Sequence, residues 1–168
     1  MKLISTNSEK LFRKAEPSDA FDIEECVCAA YAKYLKRMNK PPFPTLTDYR
    51  VVITQHQVWV MNDVEGCAAV LVLIPKQDHL LLDNIAVHPR QQGCGLGRTL
   101  IAFAETEAIK QGFSAVSLYT NECMTENIAL YSRIGYEERG RMVQDGYSRI
   151  FMCKPLVTDA ITIASSSQ

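Results

Sequence analysis

The most distinctive stretch of the chain carries three alternating glycines, in the order Val87-His88-Pro89-Arg90-Gln91-Gln92-Gly93-Cys94-Gly95-Leu96-Gly97. It joins an apolar, strand-like segment over residues 79–87 to a helix-like segment over residues 96–109. Because glycine has no Cβ, the backbone here can approach a ligand closely, and the first N–H groups of a helix point toward any bound anion. The turn is therefore predicted to bind a phosphate group.

Two common nucleotide-binding motifs do not match this turn. A P-loop needs four residues between its glycines and then Gly-Lys-Ser/Thr, but Gln92 stands five residues before Gly97 and Arg98-Thr99 follows it. A dinucleotide fingerprint needs its third glycine one residue later, which argues against a nucleotide-binding oxidoreductase. The turn resembles, at every defined position, the pyrophosphate loop Val-x-Pro-x-x-(Gln/Arg)-Gly-x-Gly-(Ile/Leu)-Gly of the GNAT superfamily of acyl-CoA-dependent N-acyltransferases.

A second stretch, residues 126–136, is similar to the other signature of the same family. It contains Asn127, Tyr131 and the pair Gly135-Tyr136. Asn127 and Tyr131 are four residues apart, so on a helix they lie on one face. The resemblance implies that Asn127 bonds the cofactor arm while Tyr131 reaches its sulfur. Taken alone, Tyr131 could be a half-buried packing residue and Asn127 an ordinary residue at a helix start.

Hydrophobic periodicity and turn residues predict the elements that must position these motifs. Asp19 is a candidate N-cap for the first helix, Leu80-Leu81-Leu82 predicts a strand buried on both faces, and Asp145-Gly146 predicts a tight hairpin turn. The predicted strands cover 10–15, 57–61, 67–74, 79–87, 115–121, 136–143 and 147–154, and the predicted helices cover 19–35, 47–54, 96–109 and a stretch after residue 125.

This order of elements resembles the GNAT order over residues 11–156. The resemblance implies a single α/β (α+β) domain, with a mixed central sheet of about seven strands and about four helices. Its two central parallel strands, 79–87 and 115–121, would splay apart to admit acyl-CoA. Residues 1–10 are expected to be an N-terminal extension and residues 157–168 a flexible tail.

The resemblance also assigns the residues that would hold acetyl-CoA as co-substrate. Backbone groups of Ile85, Ala86 and Val87 would pair with the pantetheine amides, as an added strand pairs with an open edge. Arg90 and Arg98 are candidates to neutralise the phosphates, or they are solvated surface arginines. The remaining contacts would come from Gln92, Gly93, Cys94, Gly95, Leu96, Gly97, Arg98, Thr99 and Asn127.

The implied chemistry is direct attack of a neutral primary amine on the thioester in a ternary complex. A main-chain N–H near Val87 would stabilise the oxyanion, and Tyr131 would act as the general acid toward the leaving thiolate. Asp83, the most central carboxylate of the predicted sheet, is the candidate general base, or it is a bonded structural acid. No metal is needed. An acyl-CoA sensor without turnover is the alternative function, although such a sensor would not require an acid at the sulfur.

The acceptor is expected on the opposite side, over the segment that joins the first two helices. Tyr31, Tyr34, Arg37, Met38 and Phe43 cluster there beside Pro41-Pro42. Arg37 suggests an acceptor with a carboxylate, or it is a solvated arginine at a helix end. A small-molecule or peptide amine is therefore the expected partner, and the family leaves a homodimer open.

Composition narrows the remaining classes. The chain has 168 residues, of which 47% are hydrophobic, and 18 basic against 19 acidic residues give a formal net charge of −1. This near-neutral balance predicts no nucleic-acid or membrane partner. The N-terminus lacks a signal-peptide core, so a cytoplasmic location is expected. In that reducing setting the six cysteines are interpreted mainly as small core residues, with Cys94 and Cys123 as the two that are expected to be exposed.

Overall fold

The computed structural model describes residues 11–157 as one seven-stranded sheet with four α-helices. The strands run in the order β1-β2-β3-β4-β5-β7-β6, with β4 and β5 parallel and every other neighbouring pair antiparallel. The strands are β1 Arg13–Lys14, β2 Gln57–Asp63, β3 Gly66–Pro75, β4 Leu80–Val87, β5 Ala115–Asn121, β6 Glu137–Gln144 and β7 Tyr147–Pro155; the helices are α1 Ala20–Tyr31, α2 Tyr49–Gln55, α3 Leu96–Lys110 and α4 Thr125–Arg133. The predicted fold class is confirmed, while the predicted N-terminal extension and tail lie outside the described residues.

The first helical layer differs in detail from its prediction. Asp19 stands at the N-cap position of α1 as predicted, but its side chain makes no capping bond to the helix, because its carboxylate accepts from the backbone N–H of Glu16 at 2.7 Å and from the guanidinium of Arg13. The chain then winds as a tighter 3-10 helix over Ala32–Arg37, a common form at helix ends. α2 starts two residues later than expected because Asp48 is its N-cap and accepts from the N–H of Arg50.

Both predicted hairpins are present. β2 and β3 pair antiparallel across a tight connection, and β6 and β7 are joined by Asp145-Gly146. Asp145 has φ 52° and Gly146 has φ 77°, the pair of left-handed residues that a two-residue hairpin turn requires.

β4 is interrupted by a bulge at Asp83. Leu82 pairs with Leu73 and Asn84 pairs with Val72, so Asp83 has no partner on β3. Leu80 and Leu82 pack in the core that includes α3, whereas Ala86 lies in the core under α1 and α2. The prediction of a strand buried on both faces was wrong, because burial alternates along β4 and Leu81 is only half-buried.

The bulge marks the point where the sheet opens. β4 pairs with β5 only over Leu80–Leu82 and Val116–Leu118. Beyond these three pairs, β4 stays with β3 and β5 stays with β7, so the edges of β4 and β5 that face each other are unpaired. The expected splay between the two central parallel strands is therefore present, and it begins at Asp83.

Candidate active site

The glycine turn forms an open cradle of backbone donors at the start of α3. Gly93 and Gly95 have φ 83° and 84°, a left-handed conformation that favours glycine. In the described part of the chain, no backbone or side-chain acceptor binds the N–H groups from Gly93 to Arg98. A Cβ added at Gly93, Gly95 or Gly97 would meet no protein atom within 4 Å. The cradle therefore has the donors and the space that a phosphate needs.

The side chains around the turn hold it in place. Nε and Nη2 of Arg90 bind the two carboxylate oxygens of Asp63 at 2.8 and 3.1 Å, and Gln91 donates to the same carboxylate at 2.9 Å. These donors hold the pKa of Asp63 well below its usual range. Arg90 is thus paired with Asp63, which argues against its expected role as a phosphate ligand. Arg98 is exposed and has no protein partner among residues 11–157.

Three other predicted ligands also make local contacts. The Gln92 amide donates to the carbonyl of Val87 at 2.8 Å and ties the turn to the end of β4. The Thr99 hydroxyl donates to the Gly95 carbonyl at 3.1 Å, and Cys94 is exposed with Sγ 2.9 Å from the Gln91 carbonyl. These contacts leave the backbone N–H groups as the donors that the turn offers to a ligand.

Two cavities meet where β4 and β5 separate. The loop cavity, of about 420 Å³, lies between the glycine turn, the second half of β4 and α4. The aromatic cavity, of about 60 Å³, lies on the other side, under residues 42–44. The two cavities share the lining residues Tyr31, Ile85, Asn127 and Tyr131. A group that passes through the gap would reach both cavities at these four residues.

Tyr131 is the polar side chain at this junction with an uncommitted hydroxyl. It is 5% exposed, its ring packs 6.0 Å from that of Tyr136, and its hydroxyl has no hydrogen bond in the described structure. This hydroxyl is not completely buried, so it is accessible from open space. Burial raises the pKa of Tyr131 well above its usual value, which keeps the phenol protonated at neutral pH. The hydroxyl can therefore donate a proton into the gap.

Asp83 lines the aromatic cavity at the bulge. Its Oδ1 accepts from the Tyr119 hydroxyl at 2.7 Å, and its Oδ2 has no hydrogen bond in the described residues. Burial and the nearby carboxylate raise the pKa of Tyr119, so that phenol remains a donor. One carboxylate oxygen is thus held by Tyr119 while the other is free to accept a proton.

Asn84 and Tyr31 fix the wall between the cavities. The Tyr31 hydroxyl donates to Oδ1 of Asn84 at 2.8 Å, and Nδ2 of Asn84 donates to the Tyr49 hydroxyl at 2.9 Å. Tyr49 in turn donates to the carbonyl of Pro44 at 3.0 Å. The chain of bonds connects α1, β4 and the segment over the aromatic cavity, so it positions that wall.

The predicted acceptor residues separate into three groups. Tyr31, Met38 and Phe43 line the aromatic cavity as expected, but Tyr34 lines the loop cavity. Arg37 lines neither, because its guanidinium binds both carboxylate oxygens of Glu126 at 2.8 and 2.6 Å. This pairing argues against the expectation that Arg37 faces the acceptor. Among the residues of the aromatic cavity that the prediction missed are Tyr119, Tyr147 and Arg149.

Comparison with known proteins agrees with this fold. The model of the acetyltransferase (GNAT) domain matches residues 54–138. The chain is 28% identical over 98 residues to "N-acetyltransferase family 8 member 3" of Rattus norvegicus; the match covers 55% of this chain and 43% of that relative, so the chain spans less than half of the relative's length. The protein belongs to the GNAT acetyltransferase family.

Solved structures share the fold at low sequence identity. The ribosomal-protein-S18-alanine N-acetyltransferase of Escherichia coli superposes with a TM-score of 0.70 at 21% identity, covering 90% of this chain and 97% of the other. The PaiA N-acetyltransferase of Thermoplasma acidophilum, in complex with coenzyme A, gives 0.71 at 16% identity, covering 86% and 97%. Within residues 11–157, no helix is long and apolar enough to cross a membrane, and no group of three or more metal-binding side chains is found.

Proposed function

We propose that the protein transfers an acetyl group from acetyl-CoA to a primary amine by direct attack in a ternary complex. Tyr131 is the general acid and Asp83 the general base of this proposal. The observation that carries it is the free hydroxyl of Tyr131 at the junction of the loop cavity and the aromatic cavity.

The loop cavity fits coenzyme A chemically. Its free N–H groups from Gly93 to Arg98 suit the pyrophosphate, and Arg98 adds positive charge beside them. The unpaired edge of β4 over Ile85, Ala86 and Val87 suits the pantetheine amides, with Asn127 on the facing helix. Bound acetyl-CoA would supply the thioester carbonyl at the gap.

The residues at the gap support both proton transfers. An alkylammonium with a pKa of about 10 must lose a proton before its nitrogen can attack. The free Oδ2 of Asp83 would accept that proton, directly or through a water. As the new C–N bond forms and the C–S bond breaks, the Tyr131 phenol would donate a proton to the leaving sulfur. Ordinary exchange with solvent then restores both groups.

The test is release of free thiol from acetyl-CoA in the presence of a mixed panel of primary amines. Thiol release that requires an amine, together with an N-acetylated product in the mass spectrum, is the expected result. Binding of CoA by calorimetry without amine-dependent release would instead identify an acyl-CoA sensor. Absence of CoA binding would overturn the assignment of the loop cavity.

A further inference from the structure

Arg149 is the one buried charged residue between residues 11 and 157. It lies on β7, is 9% exposed and lines the aromatic cavity. Asn84 and Thr120, the other non-aromatic polar side chains that are buried in the same region, line this cavity as well. Buried polar groups are therefore concentrated at one place in the fold. Such groups are costly to bury unless they are paired, and Asn84 and Thr120 both make hydrogen bonds within the protein, so Arg149 is the group whose partner remains to be explained.

The pairing of Arg149 differs from that of the other arginines. Arg13, Arg37, Arg50, Arg90, Arg139 and Arg141 all form ion pairs with a carboxylate. Arg98 and Arg133 are exposed to water. Arg149 is buried and has no carboxylate within 4 Å in the described residues, which leaves its positive charge uncompensated by the protein.

The contacts of Arg149 hold it in place and leave donors free. Its Nη1 donates to Oε1 of Gln144 at 2.9 Å, and its guanidinium carbon lies 4.5 Å from the ring centroid of Tyr119. No other hydrogen bond from this guanidinium is present in the structure described. Among the described residues, Nε1 of Trp59 is the side-chain polar atom that is both completely buried and without a hydrogen bond. The nitrogens of Arg149 that make no hydrogen bond are therefore accessible from open space. Arg149 therefore presents unused donors to the aromatic cavity.

One tyrosine ring separates this positive charge from the candidate base. The Tyr119 hydroxyl binds Asp83 at 2.7 Å while the Tyr119 face packs against Arg149. A negative and a positive group thus stand on either side of a single side chain in a small cavity. A ligand that carries an amine and a carboxylate close together has the matching pair of charges.

We propose that Arg149 binds the carboxylate of the acceptor, and that the acceptor is a free α-amino acid with a small apolar side chain. The inference rests on the proposed function for the amine end. The guanidinium fork matches a carboxylate, and the free oxygen of Asp83 receives the amino group. The rest of the cavity is apolar or aromatic and suits such a side chain, with Met38, Pro42, Phe43, Pro44, Met124 and Tyr147 in its lining.

The kinetic experiment compares alanine, valine and leucine with their carboxamides and with isobutylamine, which lacks the carboxylate. Wild-type protein should prefer each acid over its amide by at least about tenfold in kcat/KM. Arg149→Gln should remove this preference by raising KM for the acids, and Arg149→Lys should restore part of it. Arg37→Gln, at an exposed and paired arginine, is the matched control and should retain the preference. Equal use of acid and amide by wild-type protein would overturn the proposal.

A binding experiment separates this inference from the proposed function. N-acetylvaline and its carboxamide are titrated by calorimetry into the CoA-bound protein, with circular dichroism and CoA affinity as checks on each variant. If wild-type protein binds the acid more tightly than the carboxamide and Arg149→Gln binds both equally, the carboxylate site is supported even if no amine is acetylated. Equal binding of both compounds, or an acid preference that Arg149→Gln keeps, would refute the site even if amines are acetylated.

Discussion

The loop cavity and the aromatic cavity lie on opposite sides of the same gap, but the first offers mainly backbone groups to a ligand and the second mainly side chains. The loop cavity offers backbone N–H groups from one short turn, at glycines whose missing side chains leave space. The aromatic cavity offers side chains from α1, β4, β5, β7 and the 42–44 segment. A backbone site suits a ligand that all members of a family share, whereas a side-chain site can change with each substitution.

This difference assigns different tasks to the two cavities. Binding of CoA in the loop cavity is expected to tolerate changes of side chain but to weaken when a side chain is added at the glycine turn. Turnover of the acceptor at the aromatic cavity is expected to fall sharply when a single polar group is removed. The four residues that both cavities share, Tyr31, Ile85, Asn127 and Tyr131, are where the largest effects are expected.

The largest effect is expected for Tyr131→Phe, which removes the free hydroxyl and keeps the ring. Loss of a general acid lowers kcat by roughly 10² to 10⁴. Because the hydroxyl has no protein partner in the described residues, thermal stability should be unchanged. Since burial raises the pKa of Tyr131, the wild-type kcat should not fall between about pH 7 and 9 through loss of this proton. The measurement is kcat against pH with a saturating amine.

Tyr136→Phe is the matched control for that variant. Tyr136 is buried against Tyr131, but its hydroxyl donates to Glu105 at 3.1 Å. Its removal should cost about 1 kcal/mol of stability and leave kcat within about threefold. If Tyr131→Phe also stays within about threefold, another residue or water protonates the sulfur.

Asp83→Asn should have the next largest effect, because the amide cannot accept the proton of the amine. We expect kcat to fall by about 100-fold across pH 6 to 9 with CoA affinity unchanged. Asp78→Asn is the control, since that carboxylate is exposed and bonded to His79. Tyr119→Phe should have an intermediate effect, because it releases Asp83 without removing it. Wild-type kinetics in Asp83→Asn would assign Asp83 a structural role.

Gly97→Val tests the loop cavity by filling its space. Gly97 has no left-handed φ and no protein atom within 4 Å of an added Cβ, so the fold should tolerate the substitution. Affinity for CoA should fall at least about tenfold by calorimetry, roughly 1.4 kcal/mol. Gly95→Val should also weaken binding, but its φ of 84° adds backbone strain.

Gly140→Val, an equally unobstructed glycine on the exposed strand β6, is the control for Gly97→Val. It should leave CoA affinity unchanged. Full affinity in a folded Gly97→Val protein would show that the pyrophosphate binds elsewhere.

The same contrast explains what could be predicted from the sequence. The glycine turn, α3 and the Asn127/Tyr131 pair are local patterns, so their spacing alone places them, and the hairpins follow from short turn signals. The bulge at Asp83 has no local signal, because it depends on how β3 pairs with β4. Arg149 follows Tyr147 at the two-residue spacing of one strand face, and this inward-facing charge was the available signal.

Arg37 shows the limit of that reasoning most clearly, because the adjacent Met38 lines the aromatic cavity whereas Arg37 does not. A carboxylate distant in the sequence, Glu126 at the start of α4, decides its role. Their side chains are 40% and 52% exposed, so the pair is a surface contact. Arg37 lowers the pKa of Glu126 to about 2. The contribution of this ion pair to folding stability is therefore fully present above the ordinary glutamate pKa, and it is lost as the pH falls through about 2.

Arg37→Gln is accordingly expected to have the smallest effect of this series. KM for the best acceptor should change by less than about threefold, and the melting temperature should fall by no more than about 3 °C, less in high salt. Glu126→Gln should cause the same shift, and the double variant should add little, because either single change already breaks the contact. A tenfold rise in KM for Arg37→Gln alone would return this arginine to the acceptor site and remove the distinction between the paired arginine at the surface and the unpaired Arg149 inside.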